Sequence, residues 1–346
     1  MSARTCRPAA GPPYILTRTL RSSAVNGKPA DTHPSAPGTS GAAVETELAD
    51  RKVQSISPLA PIGVHAALHH ASNPSVSAPR PKIFEEFSLT GRVGIVSGGN
   101  GGLGLEMALA LCEAGAKAIY CIDLPEEPSE EWKATRDYVK ALGNGSRLEY
   151  TRADVRDQQD MWNKVEKMAE KEGRMDVCVA AAGILKAHQS CLEYPAEEFR
   201  TVMDVNTNGV LFTAQAAGRQ MAKYNCPGSI ILIASMSGSI TNKDHAWVSY
   251  NSSKSAVLQM ARSMACELGP SRIRVNSLSP GHIYTNMTAA YLDKQPHLLE
   301  KWSSLNPMGR LGRSDELRGV TTWLASDASS FCTGSDIIVS GGHHSW

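Results

Sequence analysis

The sequence predicts an α/β protein in which a doubly wound, seven-stranded parallel sheet forms one domain behind an extension that has no core of its own. Three observations carry this. From residue 83 onward, short β-branched runs alternate with longer helical patterns, the sequence form of a parallel sheet with crossover helices. Gly115, Gly143 and Gly173 stand just past the ends of helical patterns, where glycine is the expected stop. The first apolar run also passes straight into a glycine-rich loop that opens a helix.

Taken in order, the strands are expected at Val93–Ser97, Ala118–Ile122, Arg147–Thr151, Asp176–Ala180, Ser229–Ala234, Ile273–Leu278 and Asp336–Val339. Helices fall between them at Leu103–Ala114, Ser129–Leu142, Gln158–Glu172, Gly209–Tyr224, Val248–Leu268 and Asp315–Ser326. No internal repeat at solenoid periods interrupts this alternation.

Composition separates the extension from the domain. Residues 1–82 hold eleven of the nineteen prolines, no Phe or Trp and one Tyr, Tyr14, so they bury too little apolar surface to offset the entropy of ordering. Residues 83–346 read as the globular domain. The net charge is +5 for residues 1–82 and −4 for residues 83–346. The domain therefore has no basic excess that would point to nucleic acid or an anionic membrane. No apolar run approaches the roughly 20 residues that span a bilayer. The eight cysteines are scattered without a CxxC pair, which fits a reducing compartment, and no Cys/His cluster has zinc spacing, so no metal is expected. A cytoplasmic location follows. Before Asp31 the extension carries Arg4, Arg7, Arg18, Arg21 and Lys28 among Ser and Thr, so a mitochondrial presequence over residues 1–30 is the alternative, although Pro8, Pro12 and Pro13 interrupt its helix.

The chemistry begins at the loop Gly98-Gly99-Asn100-Gly101-Gly102-Leu103-Gly104. Glycines let the backbone turn sharply and approach a pyrophosphate, whose charge meets the helix N-terminus. The order strand, loop, helix is what gives the motif its weight. Nineteen residues after Gly104 comes Asp123, placed to accept hydrogen bonds from both ribose hydroxyls of NAD and to repel the 2′-phosphate of NADP. NAD is the expected cofactor, with NADP not excluded.

The second station is Tyr250-Asn251-Ser252-Ser253-Lys254 on a predicted helix. Side chains at i and i+4 share a face, so the Lys254 ammonium is expected to lie beside the Tyr250 phenol and favour its ionised form. Fifteen residues upstream of Tyr250 is Ser235, and thirteen upstream is Ser237.

The glycine spacing Ser97-Gly98-x-x-x-Gly102-x-Gly104 together with Tyr250-x-x-x-Lys254 resembles the short-chain dehydrogenase/reductase family over nearly all of residues 83–346. The resemblance implies a Rossmann domain and an NAD(P)-dependent alcohol dehydrogenase or reductase. It also implies roles at matching positions: Asp154 and Val155 against the adenine, Ala181 and Gly183 along the cofactor, Asn206 as catalytic asparagine, and Pro280, Gly281, Ile283 and Thr285 at the nicotinamide carboxamide. Gly98, Gly102, Leu103, Gly104 and Asp123 complete the expected cofactor contacts, with Tyr250 and Lys254 serving both cofactor and catalysis. One station departs, since Ala180-Ala181-Ala182-Gly183 stands where the family has Asn-Asn-Ala-Gly, and the amides that brace the sheet are lost.

Ala234-Ser235-Met236-Ser237-Gly238, Pro307-Met308-Gly309-Arg310 and Ala325-Ser326-Asp327-Ala328-Ser329 resemble the fungal mannitol, sorbose, xylulose and arabinitol branch of that family. This resemblance selects Ser235 as the catalytic serine and points to a sugar alcohol as substrate. Polar residues His188, Gln189, His245 and Trp247 are expected to border the catalytic face, under a covering loop at Asn286–Lys301. The alternatives are an alcohol of lipid or secondary metabolism, and a catalytically silent dinucleotide sensor. The family also implies a homotetramer or homodimer assembled through Gly209–Tyr224, Val248–Leu268 and the C-terminal strand.

Overall fold

The computed structural model describes residues 58–73, 78–186, 190–285, 288–289, 292 and 297–346. Its central strand, β1 (Val93–Ser97), is buried over all five residues, as the run Val-Gly-Ile-Val-Ser requires of a parallel strand covered on both faces. β2 (Ala118–Asp123) and β3 (Arg147–Arg152) lie to one side of it. β4 (Val177–Ala180), β5 (Gly228–Ile233), β6 (Ile273–Pro280) and β9 (Asp336–Val339) lie to the other, so the sheet runs β3-β2-β1-β4-β5-β6-β9 with every ladder parallel. The chain moves outward from β1 to β3 and then returns past β1 to β4. That reversal leaves a crevice at the carboxyl ends of β1 and β4, the usual place for a ligand in an open α/β sheet.

Helices cover both faces. Val96, Ile119, Cys121, Val179 and Ile231 point to the side packed by α1 (Gly102–Glu113), through Leu105 and Leu111, and by α2 (Glu130–Ala141), through Trp132. Ile95, Tyr120, Cys178, Ile230 and Leu232 point to the other side, against α3 (Gln158–Glu172) and the helices that follow. Alternation along each strand thus feeds two cores, which is the physical content of a doubly wound sheet.

Predicted and observed boundaries differ by no more than two residues for all seven strands. Larger differences arise around the site. A helix absent from the sequence reading, α4 (Ala196–Met203), continues through a π-helical turn at Asp204–Asn208 into α5 (Gly209–Lys223). α6 (Val248–Leu268) matches its expected span, whereas the covering loop expected through Lys301 contains a helix, α7 (His297–Ser304). The two-residue strands β7 (Ile283–Tyr284) and β8 (Gly312–Arg313) form a separate ladder, and the last predicted helix is a 3-10 turn at Ser314–Leu317 followed by α8 (Arg318–Ala325).

The expectation for residues 1–82 also needs correction at one point. Gly63–Ser72 is a helix with no buried residue, and Lys82 donates to the Leu59 and Pro61 carbonyls at 2.6 and 3.1 Å. Its three alanines and one leucine favour helix locally, a signal hidden when composition is averaged over the whole extension. Among the described residues, no helix is long and apolar enough to cross a membrane and no group of three or more His, Cys, Asp or Glu could hold a metal ion.

Candidate active site

The crevice is built on one side from backbone. Gly98 has a φ of +69° and lies so close to the chain leaving β4 that a Cβ there would stand 2.9 Å from the Ala182 Cα. A Cβ on Gly104 would run into the Gly98 carbonyl, so α1 can approach the loop only with glycine at this position. At Gly102 φ is +54° and nothing lies within 4 Å of a would-be Cβ, which leaves the mouth of the loop open above the first turn of α1, where Leu103 follows. Unpaired N–H groups at a helix start and an open glycine cradle fit a pyrophosphate.

Asp123, at the end of β2, is tied into this loop. Its Oδ2 accepts from the Asn100 N–H at 3.0 Å and its Oδ1 from the Leu124 N–H at 2.8 Å. A carboxylate offers about four lone-pair sites, so two stay available for ribose hydroxyls. Asn100 is clamped in turn: its side-chain oxygen accepts from the Ser129 N–H at 2.7 Å and its carbonyl from the Ser129 hydroxyl at 2.6 Å. Ser129 also caps α2 through Trp132 N–H. The Ser-Glu-Glu helix start was legible, but its grip on the glycine loop was not.

The structure places Asp154 and Val155 just past β3 but gives both other partners. Arg156 donates to both carboxylate oxygens of Asp154 at 2.6–3.0 Å, holding its pKa below the ordinary range. The Val155 side chain fills the space where Gly209 lacks a Cβ. After β4, the missing amide brace is partly replaced by the Ala182 N–H, which donates to the Ser97 hydroxyl at 3.3 Å. Ala181 packs on the apolar core of the α1 face.

On the other side of the crevice the site is built from buried side chains. The π-helical turn, closed by the Gly209 N–H on the Asp204 carbonyl, turns Asn206 fully inward. Asn206 Oδ1 accepts from the Ile184 N–H at 2.8 Å, and its Nδ2 donates to the Ile184 carbonyl at 2.9 Å and to the Ser253 hydroxyl at 3.1 Å. Ser253, which has no sequence signal of its own, donates onward to the Tyr250 carbonyl at 2.7 Å and so joins α6 to the asparagine. Gly183 fits between Asn206 and Lys254: a Cβ there would stand 3.4 Å from Asn206 Oδ1 and 3.5 Å from Lys254 Nζ.

Lys254 is 3% exposed and donates to the Ile233 carbonyl at the end of β5, at 2.8 Å. Burial pushes its pKa down to about 8. Tyr250 behaves otherwise than the i, i+4 spacing predicts. Burial raises its pKa, and the opposing pull comes from a side-chain hydrogen bond with Ser235 rather than from Lys254. The ammonium lies 5.7 Å from the Tyr250 ring centroid and spends a donor on the carbonyl, so desolvation wins.

The two candidate serines have different neighbours. Ser235 couples to Tyr250, while its oxygen also accepts from the Ser237 N–H at 3.1 Å. Ser237 is turned to Asn242, whose Nδ2 donates to its hydroxyl at 2.6 Å. The segment after β6 closes this side. Pro280 ends the strand, Gly281 donates to the Val339 carbonyl at 2.9 Å, Ile283 lies in β7, and Thr285 is folded into a turn in which its N–H donates to Thr288 Oγ1 at 2.7 Å.

His245 and Trp247 are packed rings and not solvated loop residues. They stack at 4.2 Å and 9°, and Trp247 meets the Tyr250 ring edge-on at 6.2 Å. His188 and Gln189 lie outside the described residues. Trp302 and His282, which no sequence signal marked, belong to the same aromatic group.

Comparison with known proteins gives this arrangement its relatives. A family model described as enoyl-(acyl carrier protein) reductase matches residues 98–344. A protein of Aspergillus versicolor named as a short-chain dehydrogenase/reductase is 38% identical over 82% of this chain and 97% of its own. A sorbose reductase of Schizosaccharomyces pombe is 40% identical over 74% of this chain and 97% of its own, and a ribulose-forming D-arabinitol 2-dehydrogenase of Candida tropicalis is 34% identical over 76% and 96%. Among solved structures, a short-chain type dehydrogenase/reductase from Mycobacterium marinum superposes with a TM-score of 0.69 at 37% identity, covering 75% of this chain and 98% of that one.

Proposed function

The chain belongs to the short-chain dehydrogenase/reductase family, and from that premise we propose that it interconverts a polyol and its ketose, with NAD as the preferred dinucleotide. It is an oxidoreductase, and its family binds a nicotinamide dinucleotide. The observation that carries the reading is the group of buried Asn206, Ser235 and Lys254 with the partly buried Tyr250, in which Asn206 and Lys254 meet around Gly183 at the carboxyl end of β4, beside the glycine loop. The sorbose and arabinitol relatives support the polyol, and Asp123 supports NAD.

When bound, the nicotinamide would supply or accept the hydride. Gly98, Gly102, Leu103 and Gly104 would hold its pyrophosphate, Asp123 its ribose, and the segment Pro280 to Thr285 its far end. The chain's own work is the proton. Tyr250, kept protonated by burial, gives a proton to a carbonyl oxygen in the reductive direction and takes one from a hydroxyl in the oxidative direction. Ser235 holds that oxygen and stabilises the charge developing on it. Lys254 places a cation beneath the Tyr250 ring, and Asn206 Oδ1, across Gly183 from the ammonium, would hold a water that relays the proton. Because the phenol stays protonated at neutral pH, reduction is favoured there and oxidation rises as the medium becomes alkaline.

A second reading has its own observation: the cluster packed around Tyr250 is apolar, with Trp247 and the partly buried Leu185, and would suit an apolar secondary alcohol. The test is turnover of the full chain with NAD and NADP separately, on mannitol, sorbitol, arabinitol and sorbose against apolar secondary alcohols, with Tyr250→Phe beside it. Turnover confined to apolar alcohols would favour the second reading, and Tyr250→Phe at the wild-type rate would remove the mechanism. We also propose a cytoplasmic homotetramer or homodimer. Light scattering tests the assembly, and a fluorescent fusion with and without residues 1–30 tests the location against mitochondrial import.

A further inference from the structure

Four rings from three separate segments meet behind the catalytic tyrosine. Trp302, on α7, is 2% exposed. His282, from the turn after β6, stacks on it at 4.3 Å and 7°. His245 meets it at 5.7 Å and accepts from its Nε1 at 3.1 Å, while Trp247 meets it edge-on at 6.4 Å. Trp247 then touches Tyr250 edge-on. A second tie joins the same two segments, since Lys301 of α7 donates to Asp244 at 2.7 Å. Edge-to-face and offset-stacked rings have defined geometries, so each ring restrains the orientation of the next.

We propose that Trp302 is a positioning residue for Tyr250, acting through Trp247: helix α7 sets the angle at which the phenol is presented to substrate. The inference rests on the assignment of Tyr250 as the proton-transfer group. It follows from how the ring is held. Along its length Tyr250 has Lys254 on one side and Ser235 at its hydroxyl, and the edge of Trp247 is the wall against which it rests. Trp247 lies at the N-cap of α6, and its neighbours in the cluster include His245, Trp302 and leucines. Removing Trp302 takes away the largest of these and opens the cluster to water. The glycine loop and Asp123, at β1 and β2, share none of these contacts; the segment assigned to the far end of the dinucleotide meets the cluster through His282, stacked on Trp302.

The experiment compares Trp302→Ala, Trp302→Leu and Trp302→Phe with wild type in the full chain. Three quantities are read: dinucleotide affinity by calorimetry, kcat on the best alcohol or ketone of the panel, and the ultraviolet phenolate titration of Tyr250, isolated by subtracting the spectrum of Tyr250→Phe. Trp302→Phe keeps a ring edge and should stay near wild type. Trp302→Ala and Trp302→Leu should lower kcat by about tenfold or more, because a displacement of about 1 Å in a reacting group can cost about 10²-fold. Their dinucleotide affinity should change by much less than kcat, because the pyrophosphate and ribose contacts at β1 and β2 are untouched, and the Tyr250 titration should move to lower pH as water reaches the phenol. Trp302→Leu retains apolar volume and serves if Trp302→Ala does not fold. Wild-type kcat and an unmoved titration in a dinucleotide-binding Trp302→Leu would overturn the inference. If Tyr250→Phe itself is fully active, the functional reading falls first; if it is inactive while Trp302→Leu behaves as wild type, only this inference falls.

Discussion

The two sides of the crevice are made of different material. From β1 to β3 the site is backbone: glycines where a Cβ would collide, a helix start, and one carboxylate that holds a main-chain N–H of the loop. From β4 to β6 it is side chains, brought in by α4–α5, α6 and α7 and joined by hydrogen bonds that skip 22, 47 and 57 residues of chain. Backbone sites are local, so a few residues of sequence contain the whole device. Side-chain sites depend on packing at long range, and each member is individually ordinary. The first side should therefore fail through binding, and the second through turnover.

The strongest way to break that contrast is Ser235→Ala. It removes one donor from the position of a developing negative charge, a loss that typically costs about 10²–10³-fold in kcat, or ~2.7–4 kcal/mol. Steady-state kinetics should show this with the dinucleotide Kd unchanged. Ser237→Ala, two residues away but turned to Asn242, should leave kcat close to wild type. Equal losses at both serines would mean that the choice between them is wrong. Next in size is Gly104→Ala on the backbone side. The added methyl meets the Gly98 carbonyl, and overpacking of this kind costs ~1–3 kcal/mol. Calorimetry should record about 10- to 100-fold weaker dinucleotide binding, with kcat at saturating dinucleotide much less affected.

The same division explains what was legible in the sequence. The order of strands and helices was readable because most strands are apolar runs of four to eight residues set between helical patterns, and β2, β3 and β4 each follow a glycine stop. Gly98, Gly102, Gly104 and Asp123 were readable as chemistry because a steric need writes itself into residue type. Tyr250 and Lys254 were marked by their i, i+4 spacing, whereas Asn206 was found, and Ser235 chosen over Ser237, only through a family pattern. Nothing in Asp204-Val205-Asn206 announces the π-helical turn that faces the asparagine inward. Trp302 and His282 were missed altogether, since a ring stack between segments twenty residues apart has no local period. The i, i+4 rule placed Lys254 beneath the correct ring but gave the wrong sign for the tyrosine pKa, because burial acts on Tyr250 more strongly than a lysine already engaged by Ile233.

Asp123→Ser sharpens the comparison at lower amplitude. It removes a partner for the ribose hydroxyls and the negative charge that opposes a 2′-phosphate, while the loop loses its bond from Asn100 N–H. A hydrogen bond to a charged group contributes ~1.5–3 kcal/mol, and Asp123 is only half-buried. About tenfold weaker NAD binding is expected, with NADP binding improved, as measured by calorimetry with each dinucleotide. A protein that already prefers NADP would contradict the role given to Asp123.

The smallest effect belongs to the far end of the same strands, where the backbone-built side is anchored by charge and not by glycine. Burial alone would raise the pKa of Glu172, at the end of α3, but bonds from Arg147 at 2.6 Å and Tyr120 at 2.7 Å, with Lys117 at 3.0 Å, pull it down to about 2. The sign follows from proton counting. As pH falls, the unfolded chain takes up this proton near the ordinary value of 4.5, whereas the folded chain resists until about 2. Between those values the unfolded state holds more protons, so stability falls with pH, and the contribution is complete only above the upper value. Its cationic partners are 39–47% exposed, so solvent screens the pairs, and Glu172→Gln should cost about 1–2 kcal/mol near neutrality. Thermal unfolding from acid to neutral pH should show a flatter acid limb in the variant. The kcat and the NAD affinity should be unchanged, because the network lies at the amino ends of β2 and β3 and the crevice at their carboxyl ends. A loss of NAD affinity in Glu172→Gln would mean that the glycine cradle is held from below as well as by Asp123 and Ser129.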